Sequence, residues 1–210
     1  MALHLWFTFA LAYLATTLTP GPNVLLVVRN TLRHGPAGMG ATFMGNLAAQ
    51  LLVVSAVAAG VGALLPALPM AFLALKVLGA GYLIYLGVGQ VFARERPALP
   101  ATPAAHTLPA ARWRIAAQAF FVSATNPKTL IFFCAFLPQF VAHDRPLWAQ
   151  FAVMYLTIAA TVMLVHSLYC YSAYRLNGKL RADCWSLWFK RVTGALFVGL
   201  GVRLLGAKAV

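Results

Sequence analysis

Residues 17–30 read TLTPGPNVLLVVRN, an apolar run interrupted by Pro20, Gly21 and Pro22. A proline in a helix interior removes a backbone donor and clashes with the preceding turn, at a cost of about 3 kcal/mol. In a bilayer the freed backbone groups must find partners, so irregular backbone persists only where it is buried in protein or lines a water-filled cavity. The stretch therefore predicts a membrane-spanning helix broken beside a polar cavity.

The flanking composition agrees. Of 210 residues, 62% are hydrophobic and 9% charged, whereas soluble domains carry roughly 25% charged residues. Six apolar stretches, about 3–28, 38–65, 67–91, 114–141, 147–174 and 187–206, reach the roughly 20 residues that crossing a hydrocarbon core requires. The first has no Lys or Arg before it and no small-residue cleavage site, so it is expected to be a permanent span, not a removable signal peptide. The expected fold is a single all-α integral membrane domain, residues 1–210, with six transmembrane helices.

Charge placement predicts its orientation. Arg29 and Arg33 follow the first span, Arg94, Arg96, Arg112 and Arg114 lie between the third and fourth, and Arg175, Lys179, Arg181, Lys190 and Arg191 between the fifth and sixth. The opposite side has Arg145, Arg203 and Lys208. Eleven against three places loops one, three and five in the cytoplasm and both termini outside. The net charge of +13 is thereby assigned to anionic membrane lipid and not to nucleic acid. Trp6, Trp113, Trp148, Trp185 and Trp188 fall near span ends, where amphipathic rings sit at headgroup level. Cys134, Cys170 and Cys184 form no C-x-x-C pair and read as bystanders.

The Pro-rich stretch ARERPALPATPAAHTLPAA, residues 93–111, reads as a cytoplasmic linker between a first half, 1–92, and a second, 112–210. Three spans per half require that related halves be inverted repeats. KVLGA at 76–80 echoes RVTGA at 191–195, and the first span of each half is broken at proline, TPGPN at 19–23 and TNPK at 125–128.

Thr19-Pro20 and Asn126-Pro127 each read as an N-cap followed by proline at the first helical position. A half-helix starting there turns unpaired N–H groups and a positive dipole end into the protein, a site for an anion. Lys128 adds a full charge in mid-span, while the acids Glu95, Asp144 and Asp183 all lie in expected loops. Either a substrate carboxylate pairs with this ammonium, or it snorkels or bonds carbonyls released by the break. Asn46 and Gln50, one turn apart, share a helix face and serve either an amino group or interhelical hydrogen bonds. His166 changes charge near physiological pH, which makes it the candidate proton carrier, or it is an interhelical hydrogen-bonder. Ala41, Gly45 and Ala49 recur every four positions and permit close helix approach, within the chain or across a homodimer.

An intramembrane enzyme would need a nucleophile with its base, paired carboxylates or a metal-binding histidine pair, and the chain has no G-x-S-x-G, no H-E-x-x-H and no acid within its spans. GVRLLGAK at 201–208 lacks the Gly-Lys-Ser/Thr ending of a phosphate-binding loop. The chain is expected not to be an enzyme and to need no cofactor and no metal. An exporter of a metal cation or another small metabolite is the competing transport reading, although cation sites favour carboxylates, thiolates and imidazoles over lysines.

With TPGPN near the amino end, NPK in the fourth span and GAGYLIYLG at 79–87, the chain resembles the LysE/RhtB family of bacterial amino-acid exporters over nearly its whole length. The resemblance implies six helices in the bacterial inner membrane, with both termini then periplasmic. It also implies efflux of a small-molecule substrate such as threonine, homoserine, lysine or leucine by a secondary transporter driven by protons. It carries substrate binding onto Thr19, Pro20, Gly21, Pro22 and Asn23 and onto Asn126, Pro127 and Lys128, and a packing or hinge role onto Gly79, Tyr82 and Gly87. The expected site places a substrate carboxylate near Pro22, Pro127 and Lys128. The substrate's amino group would meet released carbonyls and the amides of Asn23 and Asn126, with Asn46 and Gln50 close by.

Overall fold

The computed structural model describes residues 3–67, 77, 80–81, 84–85, 87–89, 91–92, 112–142, 145–175, 191, 194–195, 198–199, 201–202 and 206. The linker at 93–111, Gly79, Tyr82 and most of the third and sixth expected spans lie outside these residues. Every regular element among the described residues is helical: α1 (Leu3–Leu18), α2 (Pro22–Ala67), α3 (Arg112–Ala124), α4 (Pro127–Phe136) with a 3-10 turn at Leu137–Phe140, and α5 (Leu147–Arg175).

The first break is where TPGPN lies, but the helix restarts at Pro22 and not at Pro20. The reason is local. A residue before proline is pushed out of the α region, so Pro20 excludes Thr19 from a helix and Pro22 excludes Gly21. Thr19 consequently does not cap a new helix. Its N–H and hydroxyl reach back to the carbonyls of Thr16 and Ala15, at 3.3 and 3.5 Å. Gly21 is the residue whose carbonyl takes the first bond of the new helix, from Leu25 N–H at 3.0 Å.

The connection expected between residues 28 and 38 is helical on both sides of Gly35, which has φ 62° and ψ −153°. That region is open essentially to glycine alone, and Pro36 directly after it suits the first position of a helix. Gly35 folds α2 into a hairpin. Asn30 Nδ2 donates to Thr42 Oγ1 at 3.0 Å and Asn23 Nδ2 to Asn46 Oδ1 at 3.3 Å, contacts that a straight helix rising about 1.5 Å per residue cannot make.

The second break bends α3 against the α4 segment by 55°. By length and composition Pro22–Val61, which is folded at Gly35, Leu147–Arg175 and, taken as one bent span, Arg112–Ala124 with Pro127–Phe140 are apolar enough to cross a membrane. Large apolar side chains face outward along them, among them Leu25, Met44, Leu156 and Leu164, while Asn30, Asn46, Gln50, Ser123 and His166 are buried. Apolar residues outside and polar ones inside are the pattern of a helical membrane protein. Trp113 and Trp148 are exposed at helix starts. Trp6 instead donates its ring N–H to Thr157 Oγ1 at 2.9 Å within the bundle.

The stripe Ala41, Gly45, Ala49 is used inside the chain. Gly45 lies on the α3 backbone so closely that a Cβ there would overlap the Ala116 carbonyl. A similar approach brings Gly87 onto Gly194, where a Cβ on Gly87 would stand 2.6 Å from the Gly194 carbonyl oxygen. On the other side of the bundle an aromatic ladder runs from Phe9 through Phe140, Phe136 and Phe132 to Tyr13, with ring centroids 4.6–5.7 Å apart.

Three glycine substitutions, one of them a control, test this packing. Gly45→Ala should lower stability by about 1–3 kcal/mol, the usual cost of overpacking, whereas Gly40→Ala, where a Cβ meets nothing within 4 Å, should not. Gly35→Ala also has open space, and its cost, about 1–3 kcal/mol, is that of the forced backbone conformation. Thermal unfolding of the three purified variants separates the two mechanisms from the control.

Candidate functional site

The end of α1 and the start of α4 meet. A helix terminus leaves its last carbonyls without intrahelical partners, and here they are taken by side chains distant in sequence. Lys128, in the first turn of α4, sends Nζ to the carbonyl oxygens of Thr16 at 2.7 Å and Thr19 at 3.1 Å. Tyr169 of α5 donates its hydroxyl to the Leu18 carbonyl at 2.7 Å. The ammonium thus sits at the negative end of the α1 dipole, where a cation is stabilised. Of the two sequence readings of Lys128, the released-carbonyl one describes this arrangement, with the carbonyls supplied by the break after α1. Lysine has three donors, and two are used.

The two restarts are chemically unequal. Asn126 caps α4, its side chain accepting from Lys128 N–H at 3.1 Å with extended backbone at φ −69°, ψ 109°, and Pro127 follows directly. The α2 restart has Gly21 at the corresponding position, which has no side chain to offer. The N–H groups of Asn23 and Val24 therefore begin α2 without a side-chain cap from Gly21, and both residues line a cavity.

That cavity has about 40 Å³ open to the centres of water molecules, room for more than one water. Thr19, Gly21, Asn23, Gln50, Asn126, Lys128 and His166 all line it, so the structure gathers most of the residues expected from sequence. Val24, Phe132, Phe133 and Val162 form its apolar wall. Pro20, Pro22 and Pro127 shape the breaks without lining the space. Asn46 stands behind, its Oδ1 accepting from Asn23 Nδ2 at 3.3 Å and Gln50 Nε2 at 3.1 Å. It ties the arms of the α2 hairpin together, while Gln50 faces the cavity. Asn23 also donates to Ser123 Oγ of α3 at 3.4 Å. Gly87 packs against Gly194, not at the cavity.

Tyr13, Thr16 and Tyr169 were not legible as site residues. Tyr13 lines the cavity with its ring among Phe132 and Phe133, at 5.7 and 5.8 Å. The available signal was a phenol in mid-span, since a buried tyrosine hydroxyl must find a partner. Which partner it finds depends on packing between elements 151 residues apart in the case of Tyr169. His166 Nδ1, Asn23 Oδ1 and Gln50 Oε1 are buried and have no partner among the described residues.

Residues 14–208 match the family model described as LysE type translocator. The chain is 30% identical to an uncharacterized membrane protein of Vibrio cholerae serotype O1, over 100% of both chains. It is 29% identical to the homoserine/homoserine lactone efflux protein of Salmonella typhi, over 99% of both. Against the leucine efflux protein of Salmonella choleraesuis the identity is 28%, over 96% of this chain and 94% of the other. No solved structure matches.

Tyr169→Phe removes one hydroxyl and strands the Leu18 carbonyl. The expected loss is about 1–3 kcal/mol, read as a lower unfolding temperature of the purified protein, with proteolysis between α1 and α2 accelerated as the α1 end loosens.

Proposed function

The chain belongs to the LysE type translocator family, and we propose that it is a secondary transporter that exports a small amino acid across the bacterial inner membrane in exchange for protons. The observation that carries this reading is a cavity lined by the cation of Lys128 at the meeting point of two broken helices, in a chain whose three acids all lie outside its described helices. A substrate carboxylate supplies the missing negative charge. It takes the remaining donor of Lys128 and lies at the N-terminal end of α2, where Asn23 and Val24 line the cavity. Relatives named for efflux of homoserine and of leucine support an amino-acid cargo.

In this reading six helices form two inverted three-helix halves, 1–92 and 112–210, with both termini periplasmic. The positive-inside bias supports the orientation, and the proline-started helices α2 and α4 following each break support the repeat. Lys128 bonds α4 of the second half to α1 of the first. A carboxylate that competes for this ammonium loosens that link and lets the halves rock between inward-open and outward-open arrangements. His166, buried on the same cavity, takes the proton. Protonation from the periplasmic side adds a second positive charge beside Lys128 and favours departure of a substrate's ammonium group. Export therefore rises as external pH falls.

Cells overexpressing the protein and preloaded with mixed amino acids should release one of them faster than control cells. Lys128→Met at matched membrane level should reduce that release at least about tenfold, the loss of one charge-assisted interaction. Full export by this variant would remove the electrostatic basis of the reading. His166→Leu in proteoliposomes should abolish the acceleration produced by an imposed proton gradient while leaving a slower downhill exchange, and an unaltered gradient response would rule His166 out as the carrier.

A further inference from the structure

Three buried side-chain atoms have no hydrogen-bond partner among the described residues: Asn23 Oδ1, Gln50 Oε1 and His166 Nδ1. They come from the first arm of α2, its second arm and α5, and all three residues line the same space. Folded proteins leave few such atoms, and each calls for an explanation. Three around one cavity call for a ligand that donates.

Asn23 and Gln50 both turn their amide nitrogens toward Asn46. Asn23 Nδ2 donates to Asn46 Oδ1 at 3.3 Å and Ser123 Oγ at 3.4 Å, and Gln50 Nε2 donates to the same Asn46 oxygen at 3.1 Å. The oxygens of both amides are the ends left over. Gln50 and His166 are 2% and 3% exposed, and in its Nε2–H tautomer His166 offers Nδ1 as an acceptor.

We infer that these three atoms form a subsite for a primary ammonium group, one N–H to each acceptor. The subsite deepens the amino-acid reading above and rests on it for the carboxylate end of the ligand. It replaces the expected placement of the amino group on released carbonyls, because Lys128 and Tyr169 bond the carbonyls of Thr16, Leu18 and Thr19. Among the described residues, the other ionisable groups on the cavity are Lys128 from α4 and Tyr13 from α1, and no acid lines it. A second cation on the ligand has no counter-charge there, so the substrate class is a neutral amino acid with a free primary amine. His166 Nδ1 can hold the ammonium or a proton but not both, which makes the two mutually exclusive occupants of one atom.

The test uses the purified full-length protein in lipid nanodiscs, with n-butylammonium, tetramethylammonium and butyrate as probes in calorimetric titrations. Butylammonium should bind at least about tenfold more tightly than tetramethylammonium, which has no N–H to donate. Gln50→Met should weaken butylammonium about tenfold, and Gln50→Glu should tighten it by adding a charge, a gain that a merely structural role for Gln50 does not predict. Equal binding of the two cations, or no response to either Gln50 variant, overturns the subsite whatever the efflux assay shows. If butylammonium binds selectively while no amino acid leaves the cells and butyrate does not bind, the exporter reading falls and the ammonium subsite stands. Should Gln50→Met fail to fold, the comparison of the two cations in the unaltered protein still decides.

Discussion

The ammonium of Lys128 lies 2.7 and 3.1 Å from the carbonyl oxygens of Thr16 and Thr19, and the architecture of the cavity depends on that contact. A buried cation and a broken helix are each costly in a membrane. Isolated, the first lacks a counter-charge and the second leaves carbonyls unpaired. Placed together they satisfy each other, because the end of α1 presents the negative pole of its dipole to the cation. Tyr169 completes the arrangement at Leu18. The contact joins residues 112 and 109 positions apart, so it also fastens the end of α1 to the start of α4.

The inequality of the two helix starts follows from single side chains. Asn126 caps its own helix and thereby occupies the N–H of Lys128. Gly21, forced out of helical conformation by Pro22 and unable to cap, leaves the start of α2 facing the cavity with its N–H groups uncapped by any side chain of its own. The first break therefore contributes a helix start without a side-chain cap from Gly21, and the second contributes the charged side chain of Lys128. The two breaks thus bring different groups to the same cavity.

Close packing makes this possible. Gly35 folds α2 back on itself, Gly45 lets α3 approach to backbone contact, and the two together bring Asn23, Asn46 and Ser123 within hydrogen-bonding range. A side chain at either glycine would move the amides that face the cavity. The aromatic ladder from Phe9 to Tyr13 fills the opposite side, ending at the cavity wall. Polar and aromatic walls thus meet around a space that is small and chemically divided.

Much of this was readable without coordinates. Hydropathy identified the helical membrane protein, because lipid leaves no other solution for a long apolar run. TPGPN and TNPK located both breaks, because proline acts on its neighbours through sterics that no packing removes, and Asn126 was recognisable as a cap because capping is local. The restart at Pro22 instead of Pro20 was also implicit in the spacing of the prolines and was misassigned by treating Thr19 as a cap. The partners of Lys128, the role of Tyr169 and the direction faced by Gln50 were not in the sequence. Each depends on which carbonyl or amide arrives from an element tens to more than a hundred residues away. Periodicity tells which face of a helix is polar, and only the packed bundle decides what that face meets.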